Sequence, residues 1–106
     1  MIFQEILTLP ESKTLEFKQD LSSPKPIMKT LIAFANTAGG HLVIGVTNDK
    51  QFIGVDNPLD EEEKLSNMIA DSISPRLVPN IELMTIEGKT LLVVEVFLRH
   101  TKTGHF

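Results

Sequence analysis

Residues 26–55, PIMKTLIAFANTAGGHLVIGVTNDKQFIGV, constrain the fold more than any other stretch, because the hydrophobic period changes within them without a linker. Ile27, Leu31, Phe34, Ala35 and Ala38 recur at i, i+4, i+7, i+8 and i+11, which lines one stripe of an α-helix. The spacing predicts that this helix stops at Gly39, where the left-handed conformation that closes a helix costs glycine little. Leu42-Val43-Ile44-Gly45-Val46 is then apolar on both faces and rich in β-branched residues, as a strand covered on both sides is. Thr47-Asn48-Asp49-Lys50 reads as a turn, since Asn and Asp bond their own backbone there, and Phe52-Ile53-Gly54-Val55 as a returning strand. A helix running straight into a buried strand commits the chain to helices packed on a sheet.

The flanks extend this plan. Residues 2–9 are expected to form a short helix with Phe3, Ile6 and Leu7 inward, closed by Pro10. Leu15-Glu16-Phe17-Lys18 alternates apolar and charged, so it reads as a strand with one buried face and with Glu16 and Lys18 together on the other. Ser22-Ser23-Pro24-Lys25-Pro26 is a helix entry, proline being tolerated in a first turn whose N–H groups lack partners anyway. Asn57-Pro58 opens a second helix, with a predicted stripe of Leu65, Met68, Ile69, Ser72 and Ile73, acids at its positive end, and Pro75 to close it. Residues 81–86 and 89–97 read as strands joined at Glu87-Gly88, the second so apolar that it is expected to be central. The predicted architecture is a single α/β (α+β) domain over residues 1–106: a mixed sheet of about five strands with two to three packed helices. The tail from Arg99 to Phe106 is expected to be mobile or ordered by a neighbouring chain.

Composition narrows the function. The chain has no cysteine, which excludes disulfides and thiolate metal sites. No leader pattern opens it and no apolar run approaches membrane-spanning length, so a soluble, cytoplasmic protein without a membrane partner is expected. A net charge of -4 argues against gripping nucleic acid over the whole surface, but the charge is uneven. Between positions 13 and 29, Lys13, Lys18, Lys25 and Lys29 stand against Glu16 and Asp20 alone, whereas Asp56, Asp60, Glu61, Glu62 and Glu63 hold much of the acid.

Most catalytic signatures are missing. Gly39-Gly40 runs from a helix into a strand, the reverse of a phosphate loop, and His41, His100 and His105 lack the spacing of a helical metal pair. What remains is the set of carboxylates Glu11, Glu16 and Asp49, the donor type that magnesium or manganese takes in phosphodiester chemistry. Glu16-Phe17-Lys18 sets a carboxylate beside an ammonium, an arrangement met in E-x-K nucleases and equally in the plain solubility patterning of an exposed strand. Asn36 projects away from the apolar stripe. Its amide either bonds backbone near the helix end or reaches a phosphate or a carboxylate of the site.

The ordered run from Ala33 to Val46, A-F-A-N-T-A-G-G-H-L-V-I-G-V, with E-S-K-T-L-E-F-K from Glu11 to Lys18 before it and Ile53-Gly54-Val55 after it, strongly resembles the Schlafen AlbA_2 family over roughly residues 10–97. The resemblance implies an α/β DNA-binding domain of prokaryotic transcriptional regulators, in which Lys13, Lys18, Lys25, Lys29 and Asn36 would contact DNA or RNA. In Schlafen members that cut RNA, three carboxylates form a metal-dependent site. Two glutamates five residues apart match Glu11 and Glu16, and an aspartate after the L-x-I-G-V strand matches Asp49 best, with Asn48 as the rival position. The alternative reading is therefore a nuclease lobe using Mg2+ or Mn2+ at Glu11, Glu16 and Asp49, with Lys18 beside them; a third is an oligomerisation module. Cutting members use paired lobes, which implies a homodimer here. Because the family continues into a Y-x-R-x-G strand, the sequence is expected to be the N-terminal fragment of a longer protein with further domains.

Overall fold

Two helices and four strands follow one another as β1 (Leu15–Lys18), α1 (Pro24–Asn36), β2 (Gly40–Ile44), α2 (Pro58–Ser72), β3 (Asn80–Ile86) and β4 (Lys89–Val96) in a computed structural model that describes residues 11–73 and 77–99. The strands make one mixed sheet in the order β1-β2-β4-β3, with β1 parallel to β2 and the other pairs antiparallel. The α+β class matches expectation, and β4 is central as its apolar sequence predicted. The helix expected over 2–9 lies outside the described residues, as do Pro75 and positions 100–106.

Both faces of the sheet are buried, by different means. Leu42, Ile44, Leu92, Val94 and Val96 point to the helices, where they meet Ile27, Leu31, Phe34 and Ala35 of α1 and Leu65 and Ile69 of α2. Leu15, Phe17, Val43, Leu91 and Val93 point the other way and pack with Val46 and Phe52 from the loop after β2. Leu42, Val43 and Ile44 are each fully buried, at roughly 1.5–3 kcal/mol of favourable transfer per large apolar side chain. The helices take separate stations. α1 lies over β2 and reaches β4, and α2 lies over β4, so α1 stands toward β1 and α2 toward β3.

The helix-to-strand junction forms as its glycines require. The Phe34 carbonyl accepts the Gly39 N–H at 2.7 Å, and Gly39 sits at φ +75°. A Cβ there would also stand 2.8 Å from the Val96 carbonyl oxygen. Ala38 departs from the predicted stripe: the helix ends at Asn36, and Ala38 lies exposed in the turn. In α2, Ser72 is likewise exposed and Met68 only half-buried, leaving Leu65 and Ile69, with Ile73 just beyond, as the buried set.

The fifth strand is a correction. Residues 52–55 make a single antiparallel bridge, Val46 to Phe52, and then leave β2. The Gly45 carbonyl accepts both Ile53 and Gly54 N–H groups at 2.9 Å, Gly54 turns at φ +75°, and Val55 N–H donates to Thr90 at 2.8 Å. A carbonyl shared by two donors and a left-handed residue stop a ladder after one rung. Gly45 itself, at φ +112°, ends β2 at Ile44 rather than at the expected Val46. The tail also differs from expectation at its start: Arg99 is half-buried and donates its N–H to the Ala35 carbonyl at 2.8 Å.

Candidate functional site

The carboxylates meet at the outer edge of β1 because the chain doubles back just before it. Ser12 and Leu15 exchange antiparallel backbone bonds, which lays residues 11–12 along the open side of the strand. Thr14 and Lys18 turn their carbonyls toward β2, accepting from His41 and Gly45 at 2.8 Å, so the Phe17 N–H points off the sheet. Glu11 caps it, accepting that bond at Oε2 at 2.9 Å. In the β1–β2 register Glu16 lies beside Leu42 and Lys18 beside Ile44, on the helix-bearing face, while Phe17 lies beside Val43 on the other. Glu11 therefore straddles the rim between Glu16 and Phe17.

The two glutamates share one proton. Burial, then the hydrogen bond to Glu11, then that group's negative charge push Glu16 up to about 7. The same hydrogen bond, the Phe17 N–H, and the charges of Lys18 and Lys50 hold Glu11 below its ordinary range. Two adjoining carboxylates cannot both ionise freely, so the Glu16 O–H donates to the Glu11 carboxylate and the pair titrates as a unit. Lys18 lies close enough to favour the charged form of both. Sequence reasoning missed Lys50, whose Nζ stands 5.5 Å over the Phe17 ring at φ +63°, in a turn closed by Lys50 N–H to the Thr47 carbonyl. The turn signal was visible. Its return beneath Phe17 was not.

Asp49 is exposed in that same turn, which packs against the sheet face opposite to Glu16. Among the described residues no three His, Asp or Glu side chains are grouped to hold a metal ion. Lys13 is exposed in the turn leading into β1. Lys25, Lys29 and Asn36 are exposed and, at i, i+4 and i+11, share one stripe of α1 facing away from its buried side. A second polar pair escaped the sequence reading: His41 Nε2 lies 3.5 Å from Glu95 Oε2 across the β2–β4 register. Only the pairing of two distant strands reveals it. It borders a cavity of about 340 Å³ with Gly39, Gly40, Val96 and Phe97.

The family described as Schlafen, AlbA_2 matches residues 11–103. Among solved structures, the N-terminal domain of a Nitrosomonas europaea protein described as related to the ATP-dependent DNA helicase RecG is 30% identical, with a TM-score of 0.72 over 90% of this chain and 69% of that one. The DIP2311 protein from Corynebacterium diphtheriae, 17% identical, shares the fold at a TM-score of 0.69 over 92% of this chain and 24% of its own.

Proposed function

The chain belongs to the Schlafen, AlbA_2 family, and from that membership we propose that it is a nucleic-acid-binding domain of a prokaryotic transcriptional regulator, taking the phosphate backbone along the β1 edge and the exposed stripe of α1. The observation that carries this reading is the division of charge within the helix layer. α1 holds Lys25 and Lys29 and no acid, while α2 holds Asp60, Glu61, Glu62, Glu63 and Asp71 against Lys64. Because α1 stands toward β1, its lysines stand near Lys13 and Lys18 at the β1 end of a chain that is acidic as a whole, with Glu11, Glu16 and Asp20 among them and Lys50 on the opposite sheet face over Phe17. Phosphates are drawn to α1 and repelled by α2. The relation to a DNA-helicase-related domain supports DNA as the acid contacted. Lys25→Glu with Lys29→Glu abolishes retardation of a duplex probe if the reading is right; unchanged affinity removes it.

A second reading, a metal-dependent nuclease lobe acting on RNA, is favoured by one specific observation, the contact between Glu11 and Glu16. Two oxygen donors that already share one positive charge fit magnesium or manganese, which commonly take one or two carboxylates and fill the remaining positions with water or substrate phosphate. Glu11 and Glu16 would hold the ion, with Lys18 orienting a phosphate, while Asp49, in the turn packed on the opposite sheet face, is not grouped with them. A bound divalent cation would supply the charge stabilisation that phosphodiester cleavage needs. Cleavage of structured RNA with manganese, lost in Glu16→Ala, supports this reading; equal cleavage by the variant leaves the binding domain alone.

A further inference from the structure

The sheet has a second edge, and among the described residues no strand pairs with it. β3 ends the strand order, runs seven residues, Asn80–Ile86, and contains no proline, no lysine and a single acid, Glu82. Proteins that keep such edges apart place charges, prolines or bulges on them. Ile86 pairs with Lys89 across the two-residue Glu87-Gly88 turn, with both turn residues at positive φ. In such a hairpin the closing pair is hydrogen-bonded, so Asn80, Glu82, Met84 and Ile86 spend their backbone groups on β4. The N–H and C=O groups of Ile81, Leu83 and Thr85 therefore point outward. Their side chains lie on the helix-bearing face, Leu83 38% exposed, beside an apolar groove between α2 and the entry to β3 where Val78 is 76% exposed.

We propose that this edge joins two copies of the chain, β3 to β3 antiparallel about a two-fold axis through Leu83, in one continuous eight-stranded sheet. The pattern is self-complementary. Leu83 faces Leu83 of the second copy, Ile81 faces Thr85, and the outward groups of all three residues form the bonds of an antiparallel ladder. On the other face Glu82 comes opposite Met84, so no like charges stand directly across, whereas a register centred on Glu82 would set two carboxylates face to face. The acidity of α2 reaches the groove only in its first turns. By helical pitch its flank toward the groove carries Leu59, Ser66 and Ala70 with Glu62 and Glu63, while Lys64 on the opposite flank acts on Asp20 near α1. Small residues on that flank let the two α2 helices approach over the junction. The β1 edges, where Glu11, Glu16 and Lys18 stand, lie at the two far ends, so this pairing is independent of the nucleic-acid reading.

Sedimentation equilibrium on the chain, with Leu83→Lys and Leu83→Glu alone and mixed, tests the proposal. The expected result is a dimer for the unaltered chain, a halved mass for each variant alone, and recovery of the dimer in the equimolar mixture, where opposite charges meet at the axis. Recovery cannot come from misfolded chains. A second variant guards against variants that fail to fold: Leu83→Cys places a single thiol in a cysteine-free chain, and hydrogen-bonded antiparallel partners stand about 5.5 Å apart at Cα, within disulfide reach. Mild oxidation should cross-link it quantitatively and leave Glu82→Cys largely uncross-linked. A monomeric unaltered chain, a mixture that stays monomeric, or equal cross-linking at both positions overturns the proposal.

Discussion

Glu16 is the residue at which packing and chemistry conflict. Its neighbours in register are apolar, its nearest polar partner is another carboxylate, and only Lys18 moderates the result. The consequence for stability has a definite sign. The folded pKa of Glu16, about 7, exceeds the ordinary 4.5, so folding takes up a proton between those values. Its stabilising contribution is complete below pH 4.5 and is lost as pH rises through about 7. Glu11 runs the other way: its depressed pKa contributes above the ordinary value and is lost as pH falls. Glu16→Gln keeps a donor for Glu11 and removes the titration. The variant and the unaltered chain should therefore melt together below pH 4.5 and separate between 4.5 and 7. Above that the variant gains about 1 kcal/mol, the screened value for a half-exposed pair, or roughly 4–8 °C in Tm for a domain of this size. A gap independent of pH would mean that the two carboxylates do not share a proton. The E-x-K pattern was legible in sequence. The sharing was not, because it depends on Ser12 folding back onto Leu15, a contact that no periodicity announces.

At the level of elements, the family's ordered run is mostly a set of packing instructions. Phe34, Ala35, Leu42, Ile44 and Val46 are buried, and Gly39, Gly40 and Gly45 sit where a Cβ would meet an atom within 3.0 Å. That explains why this stretch disclosed its structure: period, stop and strand are all local signals. The returning strand misled because alternation says that a segment can pair, not for how many rungs. The alternation of β1 likewise revealed a buried face without telling which side of the sheet it occupied, and that face lies opposite the helices. Two glycines separate conformational strain from crowding. Gly39 and Gly88 share nearly the same φ, +75° and +78°, but an added Cβ at Gly39 meets the Val96 carbonyl oxygen at 2.8 Å whereas at Gly88 it meets nothing within 4 Å. Gly88→Ala should cost about 1 kcal/mol, the left-handed penalty alone. Gly39→Ala should cost at least about 3 kcal/mol, because β4 must also yield. Chemical denaturation of both variants checks this, and equal losses would show that the junction is loosely packed.

The whole molecule is polar in a way its net charge conceals. α1 carries Lys25 and Lys29 and no acid, α2 beside it on the same sheet face carries five acids against one lysine, and the two helices lie over opposite ends of the strand order. Among the described residues no helix is long and apolar enough to cross a membrane. If nucleic acid lies on the basic flank, the two sets of charges act by different routes and can be told apart by salt. Lysines in contact with phosphates release counterions, each contributing about 0.9 to the slope of log affinity against log salt on duplex DNA. Lys25→Gln with Lys29→Gln should lower that slope by about 1.8. The acids of α2 touch no phosphate in this arrangement and act only through a field that salt screens over about 8–10 Å. Asp60→Asn with Asp71→Asn should thus raise affinity clearly at low ionic strength and by less than about threefold at physiological salt, where that screening is strong. Its slope should differ from that of the unaltered chain by less than about half of one phosphate contact. If instead neutralising the acids changes the slope as much as neutralising the lysines does, nucleic acid lies across both helices, and the division of charge does not orient it.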